Sequence, residues 1–194
     1  MSHYFSNDEY TIENRREISF RFLGFDFTLT TDDGVFSKNH LDKGTEILLE
    51  SVSELDLYGK VCDLGCGIGV IGVILSKLFD IEMLGVDVNP KAVRLANENY
   101  LRYEVKGENI LSDGVKGEFD FVISNPPIRV GKDILYRLFE DAYTSLKVGG
   151  SFVFVIRKQH GAKSAEKEIE RLFGNCEMIN RKKGYHIYRA NKID

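Results

Sequence analysis

Apolar residues recur along the chain with two periods. Over Glu17–Thr31 they alternate, with Ile18, Phe20 and Phe22 before Leu23-Gly24 and Phe25, Phe27 and Leu29 after it, a pattern that predicts a β-hairpin. Ile47, Leu48, Val52 and Leu55 then follow helical spacing. From residue 59 short apolar runs alternate with longer helical patterns. Lys60–Leu64, Glu82–Val88, Glu104–Ile110, Phe119–Ser124 and Ser151–Ile156 predict strands, and Ile68–Phe79, Pro90–Tyr103, Lys132–Lys147 and Ala162–Phe173 predict helices. Pro90 suits a first helical turn, where a missing N–H is no loss. Two closing strands, Cys176–Asn180 and Tyr185–Arg189, meet at Lys182-Lys183-Gly184 without a helix between them, so they should pair antiparallel. Strands alternating with helices over short connections predict a doubly wound α/β fold. Its sheet should be mostly parallel and seven-stranded, with an antiparallel edge and an N-terminal hairpin extension.

No repeat, low-complexity tract or linker divides the chain. Residues 1–194 are therefore expected to form one domain, 1–57 as a hairpin and helix extension and 58–194 as the core. A hydrophobic content of 43% with three prolines supports a packed core and excludes wholesale disorder. No apolar run approaches the ~20 residues of a membrane helix. The polar start MSHYFSNDEY lacks the apolar stretch of a secretory signal, so a soluble cytoplasmic protein is expected. Cys62, Cys66 and Cys176 form no C-x-x-C pair, and His3, His40, His160 and His186 show no ligand spacing, so no metal site is predicted.

Net charge is −4, but it is unevenly placed: residues 157–192 hold 10 basic and 4 acidic side chains. A one-sided basic surface can bind a phosphate backbone even on an acidic protein, although a solvated helix face would look the same.

The first core strand runs into Asp63-Leu64-Gly65-Cys66-Gly67-Ile68-Gly69. Glycines there permit a tight turn and close backbone approach to a ligand at a helix N-terminus. Asp87, at the end of the next strand, can hold both hydroxyls of a ribose, and an adenosine-containing cofactor follows. Gly67-x-Gly69-x-x-Gly72 also satisfies the dinucleotide pattern. Asp63 would repel a pyrophosphate, however, and suits the sulfonium and ammonium of S-adenosylmethionine.

The fourth core strand ends in Asn125-Pro126-Pro127-Ile128. Consecutive prolines hold Asn125 and Pro126 extended and offer no N–H donors, which leaves a stiff strip of acceptors. The Asn125 side-chain oxygen and the Pro126 carbonyl could each accept from one planar –NH₂ group, drawing its lone pair out of conjugation.

Asp63…Gly65-x-Gly67…Asp87 resembles the class I S-adenosylmethionine-dependent methyltransferases, and Asn-Pro-Pro resembles the motif of members that act on planar nitrogen. That resemblance implies cofactor contacts from Asp63, Gly65, Gly67, Gly69, Asp87, Val88 and Asn125, with Asp113 on the adenine. Adenine- and glutamine-modifying members usually carry an aromatic residue at the position of Ile128. An aliphatic residue there is similar to the ribosomal guanine-N2 enzymes of the RsmC-like family. Further blocks match that family: Thr31–Ser37, Leu41–Thr45, Arg129-x-Gly131-Lys132, Lys158–Ser164 and Lys183-Gly184-Tyr185. The resemblance implies methyl transfer to the exocyclic N2 of a guanine in small-subunit ribosomal RNA. By the same analogy Asp42 and Thr45 border the methionine end of the cofactor. Some members carry two tandem copies of the fold, whereas this chain has one.

Arg129, Lys132, Lys158 and Lys163 are the candidate RNA contacts, near the expected catalytic edge. The hairpin phenylalanines are expected to pack against the sheet. Three rival readings are a glutamine or DNA-adenine methyltransferase, which Ile128 disfavours, a non-catalytic rRNA-binding scaffold, which an intact Asn-Pro-Pro disfavours, and a nicotinamide-dependent oxidoreductase.

Overall fold

A computed structural model describes residues 14–33, 35, 40–127 and 131–194. Strands β1 (Arg16–Phe22) and β2 (Phe25–Thr31) form a separate antiparallel pair. Leu23 and Gly24, with φ of 44° and 85°, make the two-residue turn that matches strand twist. Helix α1 (Lys43–Val52) leads to β3 (Lys60–Leu64), α2 (Val70–Leu78), β4 (Glu82–Asp87), α3 (Pro90–Arg102) and β5 (Gly107–Leu111). Next come β6 (Phe119–Ser124), α4 (Lys132–Ser145), β7 (Leu146–Arg157), α5 (Ala162–Phe173), β8 (Glu177–Lys182) and β9 (Tyr185–Asn191).

The main sheet has the order β5-β4-β3-β6-β7-β9-β8. Strands β3 to β7 are parallel, and β9 and β8 run antiparallel at one edge, as the alternation of strand and helix patterns implied. The chain starts this sheet at β3, moves outward through β4 and β5, and returns to lay β6 on the other side of β3. Ligands of such sheets bind at that reversal, beyond the carboxyl ends of the strands. Two apolar cores fill the faces. One packs Ile47, Leu48, Val61, Ile74 and Leu95 with the hairpin's Ile18, Phe27 and Leu29, and the other packs Phe139, Phe152, Phe154, Ile169 and Tyr188.

Several element ends differ from expectation. Sequence periodicity carries α4 through Lys147, but the helix ends at Ser145 and β7 begins at Leu146, where Gly149 (φ 85°) and the backbone bonds of Gly149 and Gly150 to Lys192 pull the chain into the sheet. Strand β5 begins at Gly107 rather than Glu104, because residues 103–106 close α3: Glu104 is left-handed (φ 53°) and the Val105 N–H returns to the Tyr100 carbonyl. Strand β8 extends to Lys182, and Lys183-Gly184 (φ 51° and 80°) forms its turn.

The hairpin is tied to helix α3 rather than directly to the sheet. The buried Asn99 amide accepts from Thr30 N (2.8 Å) and donates to Thr30 O (3.0 Å) and to Ile68 O (2.9 Å) in the glycine loop. Tyr103 Oη bonds both Thr28 N and Thr28 O. Phe22 and Phe27 are buried and Phe20 half-buried, while Phe25 lies exposed at the hairpin tip under Lys77.

Replacing Asn99 by Leu would strand the Thr30 and Ile68 groups in an apolar interior. The expected loss is about 2–4 kcal/mol, seen in calorimetry as a Tm lower by about 4–16 °C. A variant within 1–2 °C of the parent would show the staple to be dispensable.

Candidate functional site

The glycine loop leaves β3 at the sheet's reversal point. Gly65, Gly67 and Gly69 have φ of 85°, 53° and 85°, conformations that L side chains rarely adopt. Gly65 N and Cys66 N both bond Val86 O on the neighbouring strand (2.8 and 3.0 Å). A Cβ at Gly65 or Gly67 would meet nothing within 4 Å, so backbone here faces open space. Gly72, third in the dinucleotide-like pattern, has a different cause: a Cβ there would overlap the Tyr100 hydroxyl, so this glycine serves the packing of α2 on α3.

Asp87 ends β4 and reaches back to the loop. Its Oδ2 accepts from Gly67 N and its Oδ1 from Asn89 N, each at 2.9 Å. The carboxylate is thus fixed with lone pairs to spare. Val88 follows it and is 58% exposed. Leu111, opposite Asp87 in register and 52% exposed, is a second uncovered apolar side chain that the sequence reading missed. Asp113 is also exposed and paired with Arg137 of α4 at 2.6 Å.

Asp63 is wholly buried, and neither carboxylate oxygen has a hydrogen-bond partner among the described residues. Burial, and then the charge of Asp87, pushes its pKa up to about 8. A buried, uncompensated carboxyl beside a glycine loop is fitted to a cation that binds there and favours its ionised form. Cys66 is buried and its thiol is pushed far up by burial, so it is a poor nucleophile.

Asn125 lies at the end of β6. The preceding Ser124 Oγ donates to Leu64 O at 2.7 Å, joining the ends of β6 and β3. Asn125 Nδ2 donates to Asp42 Oδ2 (3.0 Å) and Thr45 Oγ1 (2.8 Å) at the N-terminus of α1. Its Oδ1 makes no hydrogen bond to the described residues. Pro126 is buried and Pro127 exposed. Ile128 and Arg129 lie outside the described residues, as do His3, Gly34, Phe36 and Ser37. The structure therefore places Thr45, expected beside the cofactor, on the Asn125 amide.

Lys132 begins α4, Lys158 follows β7 and Lys163 lies in the first turn of α5; all three are exposed at this same edge and form no ion pair among the described residues. Other cations of the basic segment are engaged: Lys182 with Glu50 (2.7 Å), Arg171 with Glu168 (2.6 Å), and Arg157 over the Tyr185 ring. A groove of about 850 Å³ opens at the opposite ends of the strands, lined by Lys60, Glu82, Glu108 and Lys147 among others. Its charges are mixed, with Lys60 facing Glu82 and Lys147 held by Asp120, and it contains none of the glycine-loop chemistry.

Residues 26–189 match the family described as the Methyltransferase small domain. The chain belongs to the methyltransferase small domain family. It is 37% identical to YbxB of Bacillus subtilis, an uncharacterised protein, over 98% of both chains. It is 39% identical over 127 residues to ribosomal RNA small subunit methyltransferase C of Haemophilus influenzae, covering 63% of this chain and 38% of that one. The fold matches the Thermus thermophilus 16S rRNA N2 G1207 methyltransferase RsmC, solved with AdoMet and guanosine. That match has a TM-score of 0.84 at 26% identity and covers 93% of this chain and 51% of that one. The chain thus spans about half the length, or less, of the two rRNA methyltransferases it matches. The loop, Asp87 and Asn125-Pro126-Pro127 follow or end the neighbouring strands β3, β4 and β6 at their carboxyl ends. No helix among the described residues is long and apolar enough to cross a membrane.

Because folded Asp63 binds its proton more tightly than the unfolded chain does, its stabilising contribution is full below the ordinary carboxylate pKa. It is lost as pH rises toward 8. Asp63→Asn should therefore have a higher Tm than the parent at pH 9, with a shallower decline between pH 5 and pH 9. Parallel Tm profiles for the two proteins would refute this assignment.

Proposed function

We propose that this protein is an S-adenosylmethionine-dependent methyltransferase that modifies the exocyclic N2 of a guanine in ribosomal RNA, in the small subunit. The observation that carries the reading is the Asn125 amide: its nitrogen is committed to Asp42 and Thr45, and its oxygen is left as an acceptor beside the cofactor loop.

S-adenosylmethionine is the cofactor and supplies an electrophilic methyl group. The chain offers a fitted residue to each part of it: Gly65, Gly67 and Gly69 to the amino-acid end, Asp87 to the ribose, Val88 and Asp113 to the adenine, and the buried Asp63 carboxyl to the positive charge. Relatives in the same family that methylate rRNA, one of them solved with AdoMet and guanosine, support both the cofactor and the substrate class.

A guanine reaching the site leaves its stack. Asn125 Oδ1 and the Pro126 carbonyl accept from the two N–H bonds of its amine. That grip takes the nitrogen lone pair out of conjugation and aims it at the methyl group, and the acceptors stabilise the positive charge that develops on nitrogen. The methylated nitrogen then loses a proton to water, so no resident base is required. Pro127 keeps the strip rigid, Lys132, Lys158 and Lys163 contact phosphates, and the family resemblance assigns Ile128 to the base and Arg129 to phosphate.

Incubating the protein with labelled S-adenosylmethionine and small subunits lacking the modification, then digesting the RNA to nucleosides, should yield N2-methylguanosine by mass spectrometry. Asn125→Ala should abolish it, by about 100-fold or more, with cofactor affinity nearly unchanged. Label confined to ribosomal protein, or labelled RNA without N2-methylguanosine, would overturn the substrate assignment. Separately, the triple variant Lys132→Glu, Lys158→Glu, Lys163→Glu should weaken RNA binding and lower the slope of log K against log salt by about 3. An unchanged slope would remove these lysines from the interface.

A further inference from the structure

We propose that Asp42 and Thr45 are positioning residues that fix which way round the Asn125 amide sits. The inference rests on reading Asn125 as the acceptor of the target amine. An asparagine amide is nearly isosteric end for end, and only one of its two orientations offers that amine an acceptor. Local hydrogen-bond chemistry selects it. Asp42 is the N-cap of α1, and its Oδ2 accepts from Thr45 N at 2.9 Å. The Thr45 hydroxyl spends its single proton on the same oxygen at 3.3 Å, so toward Asn125, 2.8 Å away, it can offer only a lone pair. Asp42 Oδ2 and Thr45 Oγ1 are therefore both acceptors where they meet Asn125. The –NH₂ end, with two protons, satisfies both, whereas a flipped amide would set its oxygen against the Asp42 carboxylate oxygen and draw the Thr45 proton away from the cap.

Burial makes the selection firm. Thr45 is 7% exposed, so water is poorly placed to bridge a mismatched pair. The preceding Gly44 lets the Tyr185 ring pack close, since a Cβ there would lie 2.9 Å from Tyr185 Cε1 and 3.1 Å from Asp42 Oδ2. The β8–β9 hairpin thus backs the cap that holds the amide. Neither residue needs to touch substrate: each acts through Asn125.

The test compares Thr45→Val, which keeps shape and loses the hydroxyl, with Thr45→Ser, which restores it, and with Asn125→Ala. Three readouts are taken: cofactor Kd by calorimetry, the single-turnover methylation rate on small subunits lacking the modification, and solvent exchange of the Asn125 side-chain amide protons by NMR. Thr45→Val should slow methylation by about 10- to 100-fold with Kd within about 2-fold, and Thr45→Ser should recover most of the rate. The Asn125 amide protons should exchange slowly in the parent and markedly faster in Thr45→Val. Asp42→Asn, which still offers an oxygen at the cap, should fall between parent and Thr45→Val in rate. A normal rate for Thr45→Val beside an inactive Asn125→Ala would overturn the positioning role while leaving the amine-capture reading intact. A rise in Kd matching the loss of rate would instead make Thr45 a cofactor ligand. Full activity in Asn125→Ala would overturn the amine-capture reading itself. Fast exchange of the Asn125 amide in the parent would overturn the clamp without recourse to activity.

Discussion

Everything at the site depends on one strand pairing, that of β6 with β3. Val61, Cys62 and Asp63 pair with Phe121, Val122 and Ile123 in parallel register, and the Ser124 hydroxyl closes the pair onto Leu64 O. Parallel pairing brings two carboxyl ends to the same edge, and the reversal of strand order opens a crevice between the segments that follow. One segment is the glycine loop and the other is Asn125-Pro126-Pro127. The glycine loop is itself anchored by Ile68, which is buried in the first apolar core, and Pro126 of the other segment is also buried. Both segments are positioned by strands whose residues are nearly all buried.

Around that pairing, buried and half-buried polar groups set direction rather than bulk. Asn99 joins the hairpin to the loop, Asp87 holds the Gly67 N–H, and Asp42 and Thr45 hold Asn125. Such groups are costly unless satisfied, so each permits essentially one arrangement of its neighbours. Asp63 is the exception, a buried carboxyl with no partner among the described residues and a raised pKa. Strain of this kind belongs where a ligand will relieve it, and the cofactor's positive charge is suited to do so.

The extensions on either side of the core serve the same edge. The N-terminal hairpin packs on α3 and bonds to Asn99, which also holds the carbonyl of Ile68. The C-terminal hairpin carries Tyr185 onto Gly44, next to the cap of α1. Of the segments that resembled the guanine-N2 enzymes, Lys183-Gly184-Tyr185 lies in this second hairpin and Leu41–Thr45 carries the cap that it backs.

The strand and helix pattern, the parallel sheet with its antiparallel edge, the glycine loop, Asp87 and the Asn-Pro-Pro strip could all be read from the chain alone. Each of these rests on local constraints: apolar period, glycine conformations, proline geometry, and the spacing of a carboxylate from a loop. The ends of β5 and β7 could not, because a left-handed Glu104 and the pairing of Gly149 and Gly150 with Lys192 depend on neighbours formed elsewhere. Nor could the work of Asn99, of Ser124, or of Thr45 on Asn125, since these bonds join residues 31 to 83 positions apart. Residue type announces which groups can accept, donate or carry charge. Only the folded chain decides which of them meet, because a hydrogen bond between distant residues exists only once packing has brought both ends together and shut out water.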